Sequence, residues 1–172
     1  MRADSADPRS GLHHRVGATV TRHGLDSAAS LADVLTAVAR HRGRPVALEP
    51  LPPDVDTGQV FGLCLPYPDR DVILFRTGAG ANHELHSTLH ECGHLLLDHV
   101  APAEQPADSN RLAQLLPALD PELIAGALRR TSYEDEQEME AETFAMVLRA
   151  TIDTQQRRRG DAVLTRFDDA LG

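Results

Sequence analysis

The segment 87–99, STLHECGHLLLDH, can be built in few ways. His90 and His94 are four residues apart, with Glu91 between them. On an α-helix, four residues turn by about 40° and rise about 6 Å, so both imidazoles can point at one place. Leu85, Leu89, Cys92 and Leu96 recur at i, i+4, i+7 and i+11, an apolar stripe that packs on a core. The segment therefore reads as an amphipathic helix with its two histidines on one flank. Gly93 costs such a helix about 1 kcal/mol relative to Ala, which close packing against a neighbouring element would explain.

Two imidazoles so placed can share one metal ion, because zinc accepts histidine nitrogens at about 2.0–2.1 Å. Glu91, one residue on, flanks the ion instead of binding it. That is where a general base must stand to take a proton from water in the site. Histidine is common in this chain, 9 in 172 residues, yet chance yields the pattern only about 0.03 times in such a composition. His99 lies about 140° around from His94 on a continuing helix and reads as structural. The metzincin pattern is also excluded, since its glycine and third histidine would fall at Leu97 and Val100. His86 joins the stripe of His90 and His94. It lies about 12 Å from His94 along the axis, too far for both to hold one ion, and is read at the cleft edge or in solvent.

At 172 residues the chain is read as one domain, residues 24–172, behind a flexible polar tail, residues 1–23. The stretch DSAASLADVLTAVARHRG predicts a helix capped by Asp26 or Ser27 and ended by Gly43. Its apolar face is Leu31, Val34, Leu35 and Val38. RPVALEPL, QVFGLCLPY and RDVILFRT read as strands, the last two joined as an antiparallel hairpin. Beyond His99, APAEQPADS is a Pro-rich loop, while NRLAQLLPAL and DPELIAGALRRTS read as helices. A longer helix covers YEDEQEMEAETFAMVLRATI, with one or two further turns in AVLTRFDDALG. The expected fold is α+β. A small, mostly antiparallel three-stranded sheet packs on an N-terminal helix and the His-Glu-x-x-His helix, with additional C-terminal helices.

Aromatic residues are only 3% of the chain, so the core must rest on Leu, Val, Ala and Ile. A net charge of −9 argues against direct nucleic-acid binding. All 17 basic residues are arginine, and the only basic run, Arg157 to Arg159, reads as a solvated helix end. Cys64 and Cys92 make no disulfide framework. No secretory signal or membrane-spanning run is evident, and the expected location is the cytoplasm.

A catalytic zinc has three protein ligands and an open position, so a third ligand must come from elsewhere. In YEDEQEMEAETFAMVL, the stripe Ala141, Ala145, Leu148 and Ile152 faces the core. Glu134 and Glu138 lie within about 50° of it and are rival ligands, Glu142 is intermediate, and Glu136 and Glu140 read as solvated. An inward carboxylate needs a partner, which a metal supplies.

The segments LHECGHLLLDH and EMEAETFAMVL together resemble the ImmA/IrrE family (the DUF955 group) of zinc metallopeptidases. That family pairs a His-Glu-x-x-His helix ending in Leu-Leu-x-His with a downstream Glu-x-Glu-Ala-Asn-x-Phe-Ala helix. The resemblance spans roughly residues 26–150, with specific motifs only in the two helices. It implies a minimal gluzincin-like fold, one Zn2+, His90 and His94 as ligands, Glu138 as third ligand and Glu91 as general base. Glu142 stands where the family often has Asn or Asp, a position that orients a ligating histidine in related peptidases. Cys92 replaces a common Leu, and the connection over residues 100–133 is long for the family.

The implied activity is zinc-dependent endopeptidase, with Glu91 passing the water's proton to the leaving amine. The implied substrate is a helix–turn–helix transcriptional repressor of a stress or mobile-element response. Tyr133 and His86 are candidates for the oxyanion donor, and the strand 71–75 for the edge that receives an extended peptide. The alternatives are a zinc-stabilised binding module or a toxin-like partner that acts on a transcription regulator without cleavage. Glu91 speaks against the binding module, because a structural zinc needs no base.

Overall fold

The computed structural model describes residues 8–51, 62–99 and 135–171. Among them are four helices and three strands: α1 (Pro8–Arg22), α2 (Leu31–Arg42), β1 (Val46–Pro50), β2 (Gly62–Pro66), β3 (Asp71–Phe75), α3 (Ala81–Leu96) and α4 (Asp135–Leu171). The architecture is α+β. The Pro-rich stretch after His99, the two expected helices over residues 110–132, Tyr133 and Glu134 lie outside the described residues.

The N-terminal stretch read as a flexible tail instead forms α1 over residues 8–22. Val16, Thr19 and Val20 recur at i, i+3 and i+4, and all three are buried against the core. Polar residues and the glycines at 11 and 17 hide this short stripe in the sequence. α2 begins at Ser30, not at Asp26 or Ser27. The Ser30 hydroxyl accepts from the Asp33 amide while the Asp33 carboxylate accepts from the Ser30 amide, a capping box. Gly43 ends α2 at φ 67°, a left-handed position suited to glycine.

The sheet is mixed, in the order β1-β3-β2. β2 and β3 form the expected antiparallel hairpin, Gly62 opposite Phe75 and Pro66 opposite Asp71. β1, however, runs parallel to β3, with Val46 opposite Asp71. The sheet is therefore not mostly antiparallel, and β3 is its central strand, not an edge. That position explains the unbroken burial of Val72, Ile73 and Leu74. Asp71, fully buried, accepts from Arg42 Nε at 3.0 Å and from Arg44 Nη2 at 2.5 Å. Arg44 also donates to the Tyr67 carbonyl at 2.9 Å. The end of α2 is thus tied to the start of β3 by a buried ion pair.

The core joins α1, α2, α3, α4 and one side of the sheet. Cys64 and Cys92 are both buried free thiols within it. α4 buries Ala141, Ala145, Leu148 and Ile152 as its periodicity predicts, with Phe144 added. It is one continuous helix to Leu171, where the sequence suggested a separate final turn or two. Among the described residues, no helix is long and apolar enough to cross a membrane.

Candidate metal centre

α3 and α4 run antiparallel: Gly93 meets Ala141, His86 meets Glu142, and Asn82 meets Arg149. The approach is close at Gly93. A β-carbon there would stand 3.1 Å from Phe144 Cδ1 and 3.2 Å from Ala141 Cα. Only glycine permits this contact without a shift of backbone, which accounts for its place inside a helix. The close crossing carries Glu138, on the first turn of α4, over the histidine flank of α3.

His90, His94 and Glu138 then converge. His90 Nε2 and His94 Nε2 are 3.0 Å apart. Glu138 lies 3.4 Å from the first through Oε2 and 3.5 Å from the second through Oε1. Ligands held about 2.0–2.1 Å from a tetrahedral centre are themselves about 3.3 Å apart, so this triangle fits a small cation. The group His90, His94 and Glu138 could hold a metal ion. It has two imidazoles and one carboxylate, a donor set suited to zinc.

The surroundings tune each member. His94 is almost fully buried, and burial, with His90 and His99 beside it, pushes its pKa down to about 2. It is therefore a neutral imidazole, as a metal ligand must be. Burial acts on His90 in the same direction, but Glu138, Glu91 and Glu142 outweigh it and raise its pKa. The carboxylates around His90 favour positive charge, whereas the dry surroundings of His94 disfavour a protonated ring.

Glu91 lies against the start of β2. Its side chain touches Gly62 so closely that a β-carbon at 62 would meet Glu91 Cγ at 2.8 Å. Burial raises the Glu91 carboxyl to about 7, His90 pulling it down and Glu138 pushing it up. A carboxylate poised near neutrality beside a metal-binding group is suited to moving a proton.

His86 donates through Nε2 to Glu142 Oε2 at 3.0 Å, and that same oxygen is 3.7 Å from His90 Nδ1. Glu142 is thus beside His90 on the side away from Glu138's contact. An open cleft beside the triangle is lined by His90, Glu138 and Glu142 together with Leu12, Met139 and Met146. Met139 and Met146 are exposed large apolar residues.

One residue differs from its sequence reading, and a second has a neighbour the sequence did not reveal. Glu140 is not solvated: it is buried, accepts from Arg15 Nε, and lies 2.9 Å from His99 Nε2. Its partner Arg15 belongs to α1, whose short buried stripe gives no sign in the sequence of a basic neighbour for an inward Glu140. His99 is no ligand of the group, as expected, yet its Nδ1 is 2.9 Å from His94 Nδ1. The helix ends at Leu96, and Asp98 at φ 54° turns the chain back, which brings His99 to the far side of His94. A short polar Asp after an apolar helix end was the available signal.

No protein-family model, curated protein or solved structure matches this chain.

Proposed function

We propose that the chain is a zinc-dependent endopeptidase. One observation carries the reading: the group of His90, His94 and Glu138 stands beside Glu91, whose carboxyl is held near 7. A site that served only to staple two helices would have no use for a buried carboxyl with that proton affinity. Zinc in such a site supplies Lewis acidity, polarising the scissile carbonyl and acidifying water.

The remaining work falls to the chain. Glu91, deprotonated, takes a proton from the attacking water and delivers it to the leaving amine. The missing side chain at Gly62 leaves the space in which this carboxylate sits. Among the described residues, β2 has β3 on one side only, so its other edge can pair with an extended peptide backbone. Gly62, at the start of that edge, places such a peptide next to Glu91. The resemblance of the two motif helices to ImmA/IrrE peptidases supports a helix–turn–helix repressor as the substrate and the cytoplasm as the compartment.

The test is incubation of the zinc-loaded protein with helix–turn–helix repressors of the same cell, alongside Glu91→Gln. Cleavage by the wild type and a loss of about 10²–10⁴-fold in the variant is expected. Equal cleavage by both would remove Glu91 from the chemistry. Binding without cleavage by either would assign the chain to regulation by contact.

A further inference from the structure

Behind the metal-binding group runs a chain of contacts that leads out of the site to the N-terminal helix. His94 turns Nε2 toward His90 and Glu138, and Nδ1 toward His99. His99 turns Nδ1 toward His94 and Nε2 toward Glu140. Glu140 Oε2 meets His99, while Oε1 accepts from Arg15 of α1. Arg15 also donates through Nη2 to Glu136 Oε1 at 2.6 Å. The inner members are sequestered: the side chains of His94, His99 and Glu140 are 3%, 4% and 12% exposed.

The direction of the hydrogen bonds follows from the outer end. An arginine can only donate, so Glu140 receives from it as a carboxylate. A carboxylate can only accept, so the His99 nitrogen that faces it, Nε2, carries a proton and donates to Glu140. In the single-proton form of that ring His99 Nδ1 is an acceptor, and the contact at 2.9 Å is then made by a His94 that carries its proton on Nδ1. That puts the proton-free nitrogen of His94, Nε2, toward the point shared with His90 and Glu138. Each proton position is dictated by its outer neighbour, and the last one is the tautomer that a ligating histidine needs.

We propose that His99 and Glu140, anchored by Arg15, are positioning residues that fix the tautomer and ring orientation of His94 for metal binding. This rests on the reading of the group as a zinc site. It gives α1 a role in the site although none of its residues is a ligand of the group.

The full chain is tested by three measurements. Zinc affinity is read by competition with a chromophoric chelator. The cobalt(II)-substituted protein is followed by visible absorption. The His94 tautomer is read from long-range 1H–15N correlations in the metal-free protein, where the wild type is expected to carry the proton on Nδ1. His99→Phe keeps a ring in the buried slot but offers no acceptor. It is expected to bind zinc about 10–100-fold more weakly, shift the cobalt band and move the His94 proton toward Nε2. His99→Asn returns an acceptor oxygen and is expected to recover most of the affinity. Glu140→Ala suits a helix and carries the test if His99→Phe does not fold, with a loss in the same direction. Wild-type zinc affinity, cobalt spectrum and tautomer in these variants would overturn the proposal while leaving the zinc site standing. An equal loss in His99→Asn and His99→Phe would also overturn it, because the acceptor would then be irrelevant. A wild-type protein that binds no zinc fails the underlying reading itself.

Discussion

Gly62 of β2 lies directly against Glu91 of α3, so near that a β-carbon at 62 would stand 2.8 Å from Glu91 Cγ and 2.9 Å from Oε1. The absence of a side chain at one position therefore sets where the carboxylate of the other can be. Gly62→Ala must push Glu91 aside, since the strand backbone is held by its pairing with β3. Misplacing a reacting group by about 1 Å costs on the order of 10²-fold in rate. A fall of that order in peptide hydrolysis is expected, with zinc affinity nearly unchanged. Steady-state kinetics beside a chelator titration measure the two separately.

Glu91 also makes the metal-free protein sensitive to pH. Its carboxyl is raised from 4.5 to about 7 by burial. The folded state therefore holds a proton that the unfolded state has released, and stability falls as pH rises from about 4.5 to 7. The loss is on the order of 3 kcal/mol. His94 has the opposite sign, its pKa being lowered to about 2, so it adds stability as pH rises toward 6.5. The two nearly cancel in the wild type between about 4.5 and 6.5. Glu91→Gln removes one of them, so in metal-free denaturation its advantage over the wild type should grow steadily across that window. A constant difference would contradict the buried carboxyl.

The crossing of α3 and α4 predicts a different failure for Gly93→Ala. The new methyl meets Phe144 Cδ1 at 3.1 Å and the Ala141 backbone at 3.2–3.3 Å. Overpacking of this kind costs about 1–3 kcal/mol. Because the same contact brings Glu138 over the histidines, zinc affinity should fall with thermal stability, although no ligand is altered. A stable variant with wild-type zinc affinity would show that the helices can separate without moving the site.

Glu138 and Glu142 are one helical turn apart and should behave differently. Glu138 faces both imidazoles at 3.4–3.5 Å, whereas Glu142 meets His86 at 3.0 Å and stands 3.7 Å from His90. Glu138→Ala should abolish stoichiometric zinc binding. Glu142→Ala should weaken it by about tenfold, within the range for groups that orient a ligand. Metal analysis after gel filtration distinguishes the two.

The sequence exposed one part of this arrangement well. His90, Glu91 and His94 obey a local rule, helical spacing, whereas the apolar stripe of the later helix left Glu134 and Glu138 as rivals, and only the family resemblance favoured Glu138. The parts that stayed hidden depend on partners far away in the chain. Glu140 lies on the flank of α4 away from its buried stripe, and its inward position makes sense only when Arg15 and His99 are in place. His99 could be placed only by knowing that the helix stops at Leu96. The hairpin of β2 and β3 was readable because a short turn joins them. The parallel pairing of β1 with β3 was not, since no local pattern records which strand lies in the middle.

The antiparallel crossing of α3 and α4 has a mechanical consequence. His90 and Glu138 are far apart in sequence yet face each other across it. An ion gripped by both would act as a removable cross-link, restricting the unfolded chain as a covalent bridge does and favouring the folded one. Its benefit would reach segments that never touch it, including α1 through Arg15. Metal supply would then govern how long the molecule survives unfolding and proteolysis as well as how fast it works.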